Sequence, residues 1–415
     1  MFYFTTEHTK NVLAMISSFV LLTSIDSDVI APLLLGLATV SFYQGFVETL
    51  VAEIYVTQFE KNEVYAKYAF LTISFLLSGF AVLILFLVSI LDIAPPYLVQ
   101  FRNEIALTIF FSSSILVFRS FYVLNGQMTP LSIANLVETI FQGGIVFACI
   151  LKSSFSVIIL LRFARLPVIN ISYWLFGIIE LCASKIKHDV LFDSNRIFGF
   201  LRYCKTINIK HNYILAVNLF LKSFTSNQDI VLVNLTFGNA VTTTYKFLLL
   251  IKQIVLSITG TLWKMWINQI IGHDSIIERK TQKYVVRLMA LSVLGSLLVL
   301  PAFPILNYLT TTSLLDFIGI KLDQLDFQRY RTESFVFILL LLLPQSSTQW
   351  TRIILLLKKR IDISTCSYIL ISVALLLSTQ VSSSFFSFLI SYGLCVMIIL
   401  VVQIIRTGKL ILTNN

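Results

Sequence analysis

Val336-Phe-Ile-Leu-Leu-Leu-Leu-Leu-Pro344 is a run of eight apolar residues closed by a proline, and it decides how this chain meets a bilayer. A transmembrane β-strand alternates apolar and polar residues at every second position, and nothing alternates here. Inside hydrocarbon the backbone of such a run must satisfy its own polar groups, which a helix does within one segment. Working outward, apolar blocks of about 18 to 25 residues recur along the chain, the length that carries a helix across roughly 30 Å of hydrocarbon.

The composition agrees. Of 415 residues, 57% are hydrophobic and 13% charged, whereas a soluble domain carries about a quarter charged residues. The pattern predicts an all-α polytopic membrane protein of about twelve transmembrane helices, near 11–25, 28–58, 67–91, 105–124, 129–151, 154–182, 213–235, 240–271, 285–309, 333–357, 363–382 and 384–405. The longest polar stretch, 183–212, separates an N-terminal six-helix half (1–182) from a C-terminal one (213–415). Duplicated halves of this kind put a substrate site at their interface in many transporters, so a central cavity is expected between them. Sequence similarity between the two halves is faint.

The net charge of +10 excludes little by itself, because the Lys and Arg residues fall in short connectors and not on one basic face. Nucleic acid is not an expected partner. Nineteen of them lie on the side that carries 183–212, with Lys10, Arg119 and the tail after 405 counted there, and five lie in the opposite connectors. The positive-inside bias then predicts that both termini are cytoplasmic. The N-terminus has no basic stretch followed by a small-residue cleavage site, so the first helix is expected to remain in the protein. Cys149, Cys182, Cys204, Cys366 and Cys395 show no CxxC spacing, which argues against a disulfide framework or a zinc site.

Ionisable groups within the spans are the candidate functional residues, because each costs about 2.5–3.5 kcal/mol at the centre of a bilayer and normally faces a bundle interior or a wet cavity. Lys222 and Asp229 lie seven apart on span seven, on one helical face. Lys246 and Lys252 occupy span eight, and Lys252 is the stronger candidate because it lies nearer mid-span. Arg162 and Arg165 fall three apart on span six beside Pro167. Beyond Pro344, the residues Gln345, Gln349 and Arg352 form one polar stripe. Glu48, four after Gln44, is the acidic candidate of span two, and Glu138 lies in span five. No GxSxG, GxxxxGK[ST] or HExxH motif occurs, and all four histidines fall in connectors, so neither catalysis nor a cofactor is expected.

Residues 225–271, beginning Thr-Ser-Asn-Gln-Asp-Ile-Val-Leu-Val-Asn-Leu-Thr-Phe-Gly-Asn-Ala-Val-Thr-Thr-Thr-Tyr-Lys-Phe, resemble the matching region of bacterial polysaccharide and O-antigen flippases of the multidrug/oligosaccharidyl-lipid/polysaccharide exporter superfamily. Asp229, Gly238 and Tyr245 carry the likeness, and Arg119 to Glu138 is a weaker match. In motif the resemblance covers about 50 residues, while in architecture it covers nearly the whole chain. The family's Gly-Tyr-Gly hairpin is not recognisable at Ile25-Asp-Ser-Asp28, its late proline in span eight is absent, and the first span is shorter than expected. The resemblance implies flipping of an undecaprenyl-diphosphate-linked oligosaccharide across the bacterial inner membrane by alternating access, for surface polysaccharide assembly. A polysaccharide polymerase and chain-length machinery would then be partners. The rival readings are a drug or cation antiporter of the same superfamily, which should have an anionic cavity, and a membrane polymerase, which should have a large external loop.

Overall fold

The computed structural model describes residues 2–58, 63–91, 93–183, 209–253, 331–342 and 360–412, with isolated helical positions between 286 and 355. The described residues are helical and contain no strand, as the apolar blocks require. Seven of their helices are long and apolar enough to cross a membrane. The protein is an all-α, multi-pass membrane protein.

In chain order the helices are α1 (Phe2–Ser24), α2 (Ser27–Tyr43), a π-helical turn (Gln44–Glu48), α3 (Thr49–Gln58), α4 (Glu63–Ile90), α5 (Pro96–Gln100), α6 (Arg102–Ser112) and α7 (Ile115–Leu124). There follow α8 (Met128–Ile150), α9 (Phe155–Ala183), α10 (Ile209–Asn227), α11 (Asp229–Phe237) and α12 (239–253). The last are α13 (Arg331–Phe337) with a second π-helical turn at Ile338–Leu342, α14 (Ile361–Val381) and α15 (Phe385–Leu412).

Most spans match the apolar blocks, and the departures are instructive. The first helix is not short: it begins at Phe2, because the polar start Glu7-His8-Thr9-Lys10 is helical and largely buried, with Glu7 4% and Lys10 6% exposed. Arg119 likewise lies inside α7 and not in a connector. At least six of the nineteen charges assigned to connectors, Lys10, Lys67, Arg119, Lys210, Arg406 and Lys409, therefore belong to helices. Span four is broken: α6 stops at Ser112, and α7 resumes after Ser114, whose φ of 83° is left-handed. Of the spans expected at 240–271, 285–309 and 333–357, most residues lie outside the described ones.

Packing inverts the pattern of a water-soluble protein. On α4, Leu76, Phe80, Leu83 and Leu87 are exposed at 49–69%, and their spacing of four, three and four gives one apolar face suited to lipid. The interior holds the polar groups. α1 lies along α8, α8 against α9, and α9 against α6, while α10 packs on α14 and α14 on α15. α2 and its π-turn bridge these groups by packing on α10. There Gly45 permits close approach: a Cβ would come within 2.7 Å of Ser223 Oγ, and that hydroxyl donates to the Phe42 carbonyl at 3.0 Å. Phe42, Phe46 and Phe220 stack edge-on around the contact.

Candidate functional site

Helices α1, α2, α6, α8, α9 and α12 enclose a cavity of about 340 Å³. Its charged lining is Arg162 and Arg165 from α9 and Lys246 from α12, with His8 from α1. Asn11, Gln44, Gln142 and Gln253 contribute amides, Ser18, Ser41 and Thr108 hydroxyls, and no carboxylate is among the described lining residues. Leu21, Leu22, Leu34 and Leu250 make part of the wall apolar.

The two arginines differ in company. Arg162 is 8% exposed; it donates to Ser18 Oγ at 3.4 Å, and its Nε has no hydrogen-bond partner among the described residues. Arg165, one turn on, lies 3.7 Å from Glu138 Oε1. Glu138 also faces Arg119 at 3.5 Å and Lys10 at 3.8 Å. Lys10 in turn meets Glu7 at 3.2 Å, to which Asn135 donates at 2.8 Å, and Arg119 Nε donates to the Tyr173 hydroxyl at 3.3 Å. Four helices, α1, α7, α8 and α9, are thus tied through one carboxylate that serves three cations. Ser17 donates to Gln142, a cavity residue, from the same face of α1.

Sequence reading singled out Glu138 but missed Glu7, Lys10 and Asn135 as parts of a network. Hydropathy falls away before residue 11, which placed Glu7 and Lys10 outside the first span. A readable signal was present: Glu7 and Lys10 lie three apart, and Asn135, Glu138 and Gln142 follow at three and four, one polar stripe on each of two helices.

Another buried carboxylate lies in the C-terminal part. Asp229 opens α11, is 1% exposed, and accepts from the Ile230 amide at 2.8 Å and from the Tyr245 hydroxyl at 2.8 Å. The hairpin between α11 and α12 brings these partners together. It turns at Gly238, whose φ of 83° and ψ of −177° suit glycine alone. Phe337, Phe385 and Phe388 surround the Tyr245 ring. Lys252 exerts the strongest attraction on Asp229, with Lys246 weaker.

The remaining candidates are distributed as follows. Lys222 is half-buried on α10, and neither it nor Lys252 is among the residues lining the cavity; Lys246, ranked below Lys252 from the sequence, lines it. Glu48 is buried in the π-turn, one turn beyond the lining residue Gln44. Gln345, Gln349 and Arg352 lie outside the described residues.

No model of a protein family matches this sequence, and no curated protein matches it. Solved structures do. A multidrug resistance MATE family transporter of the MOP superfamily, in an inward-facing conformation, superposes with a TM-score of 0.61 at 11% identity, over 98% of this chain and 96% of that one. A MATE protein in complex with MaL6 gives 0.58 at 12% identity, over 100% and 94%. The fold is that of MOP-superfamily transporters. A third MOP-superfamily structure, from Pyrococcus furiosus, whose binding pocket is described as having reverse polarity that suggests a different function, gives 0.51 at 11% identity over 98% and 95%. At these identities the likeness concerns the fold.

Proposed function

We propose that this chain is a transporter of an anionic cargo, and that the cargo is a lipid-linked oligosaccharide carried on a diphosphate and flipped across the bacterial inner membrane. The observation that carries the reading is the polarity of the cavity: two arginines, a lysine and a histidine line it, and no carboxylate is among its described lining residues. In a membrane interior such a field attracts phosphate and repels organic cations. Arg162 contributes most, because its guanidinium keeps its charge, offers a fork matched to phosphate, and faces no carboxylate among the described residues. The amides beside it suit sugar hydroxyls, and the leucine wall accommodates an apolar portion.

A drug or cation antiporter is the second reading, favoured by the fold likeness to a multidrug resistance MATE transporter. Such a carrier needs acidic groups where its cation rests. The Pyrococcus furiosus MOP transporter, whose reverse pocket polarity is described as suggesting a different function, is a precedent for reading function from pocket polarity in this fold.

The test is surface-glycan display in cells that depend on this protein, with expression checked for each variant. Arg162→Ala should reduce display by tenfold or more, on the order of one lost charge-assisted phosphate contact, and Arg162→Lys should restore part of it. Deletion of the gene that leaves display intact but raises sensitivity to cationic drugs would establish the antiporter instead.

A further inference from the structure

The ion-pair cluster behind the cavity wall carries one more cation than its carboxylates need. Among the described residues it sets Glu7 and Glu138 against Lys10, Arg119 and Arg165, two negative charges against three positive. Lys10 and Arg119 alone would balance it. Of the three cations, Arg165 alone is among the described residues lining the cavity, so the surplus charge is the one that faces the wet space.

Arg165 is loosely held. Its contact with Glu138 is 3.7 Å, well beyond the roughly 2.7–2.9 Å of a charge-assisted hydrogen bond, and its Nε has no hydrogen-bond partner among the described residues. The same is true of Arg162 Nε and of Gln142 Nε2, both in residues that line the cavity. Gln142 engages its oxygen with Ser17 and keeps its amide hydrogens for another group. Three buried donors on the packed helices α8 and α9 are costly without an acceptor, and a set made of donors alone fits a group that only accepts. Arg162 and Arg165 lie one helical turn apart, with Cβ atoms about 5–6 Å from each other, and Arg165 is the charge that weighs most on Arg162. Like charges at that spacing repel, and Glu138 draws Arg165 aside. An anion between the two guanidiniums reverses the balance, because it attracts both. Lys10 and Arg119 keep Glu138 compensated, so Arg165 can turn away without stranding a buried charge.

We propose that Arg165 is a second cargo ligand held in reserve by Glu138: a diphosphate in the cavity draws it from the carboxylate, and Arg162 and Arg165 then take one phosphoryl group each, with Gln142 as a third donor. Arginine suits the exchange, since its fork matches carboxylate and phosphate alike. Glu138 is thereby a positioning residue that sets the affinity, because every binding event competes with it for Arg165. The inference rests on the anionic-cargo reading and adds to it a second cation and the group that regulates it.

The experiment measures binding of inorganic diphosphate and of geranyl diphosphate to the purified full chain in nanodiscs by calorimetry, with Tm recorded for each variant. Arg165→Gln should weaken binding on the order of tenfold, the scale of one charge-assisted contact, at a Tm close to that of the parent, since the cluster it leaves is neutral. Glu138→Gln should tighten binding on the order of fivefold, because the fraction of molecules with Arg165 free to bind rises, and the gain should vanish when Arg165→Gln is added. A role in packing alone gives no such gain. Unchanged affinity in Arg165→Gln overturns the proposal even if Glu138→Gln does not fold, and so does unchanged or weaker binding by a folded Glu138→Gln. Binding that is lost in Arg162→Ala but kept in Arg165→Gln leaves the anionic-cargo reading standing and removes this inference, whereas a parent that binds neither ligand removes both. Whichever of the two ligands binds more tightly tells a lipid-borne diphosphate from a soluble one, and both variants should act on it in the same direction.

Discussion

Two carboxylates within the helices, Glu138 in the N-terminal part and Asp229 in the C-terminal part, solve the same problem in opposite ways. Glu138 gathers Lys10, Arg119 and Arg165 around itself, and Arg165 also lines the cavity. Asp229 is enclosed by a phenol, its own helix amide and a ring of aromatics, with Lys252 and Lys246 attracting it, and it is not among the residues lining the cavity. The first arrangement leaves surplus positive charge facing a wet space; the second confines charge to packing. The difference teaches that a charged residue in a span marks a site only when its surplus field reaches solvent or cargo. Arg162, without a carboxylate, exposes that surplus most directly.

Removing the hub of the first arrangement should give the largest effect. Glu138→Ala leaves three cations without their shared partner in a largely buried place, and stability should fall by about 3–5 kcal/mol, the range for breaking a buried pair. The check is thermal unfolding in detergent together with yield of folded protein. Tyr245→Phe should cost about 1–3 kcal/mol, because Asp229 loses one of two donors while remaining buried, and it should leave transport per folded molecule near that of the parent. If Tyr245→Phe abolished transport in folded protein, the contrast drawn between the two carboxylates would fail.

The seam that joins the regions offers a finer test. Gly45 and Ser223 would present Cβ atoms 3.5 Å apart, within the span a disulfide bridges. The pair Gly45→Cys with Ser223→Cys should cross-link on oxidation, and after reduction its Tm should lie below that of the parent, because the new Cβ crowds the side chain at 223 and the hydroxyl bond to Phe42 is lost. Transport that stops on oxidation and returns on reduction would show that α2 and α10 part during the cycle; transport that persists would show a permanent seam.

Much of the fold was legible. Apolar block length fixed the helical class and most span positions, since an unsatisfied backbone in hydrocarbon has no cheaper remedy than a helix. Arg162, Arg165 and Glu138 stood out because charge is costly there. Glu7 and Lys10 did not, because hydropathy averages over a window and cannot register that two opposite charges one turn apart are paired with a second helix. The break at Ser113–Ser114 was equally silent, as a run of serines is tolerated within a helix and terminates it only when outside groups cap the ends. Asn170, 56 residues away from Ser114, supplies that cap.

By itself, then, the amino-acid sequence determined a helical membrane protein and the small set of residues that must avoid lipid. Which of them meet each other was decided by tertiary structure alone. Helical periodicity fixes the face on which a side chain lies, but the partner on the facing helix depends on crossing geometry set by packing across the whole bundle. That geometry turns Arg162 and Lys246 toward a common cavity, binds Arg165 to Glu138, and closes Tyr245 over Asp229, because each contact joins helices whose separation along the chain carries no information about their separation in space.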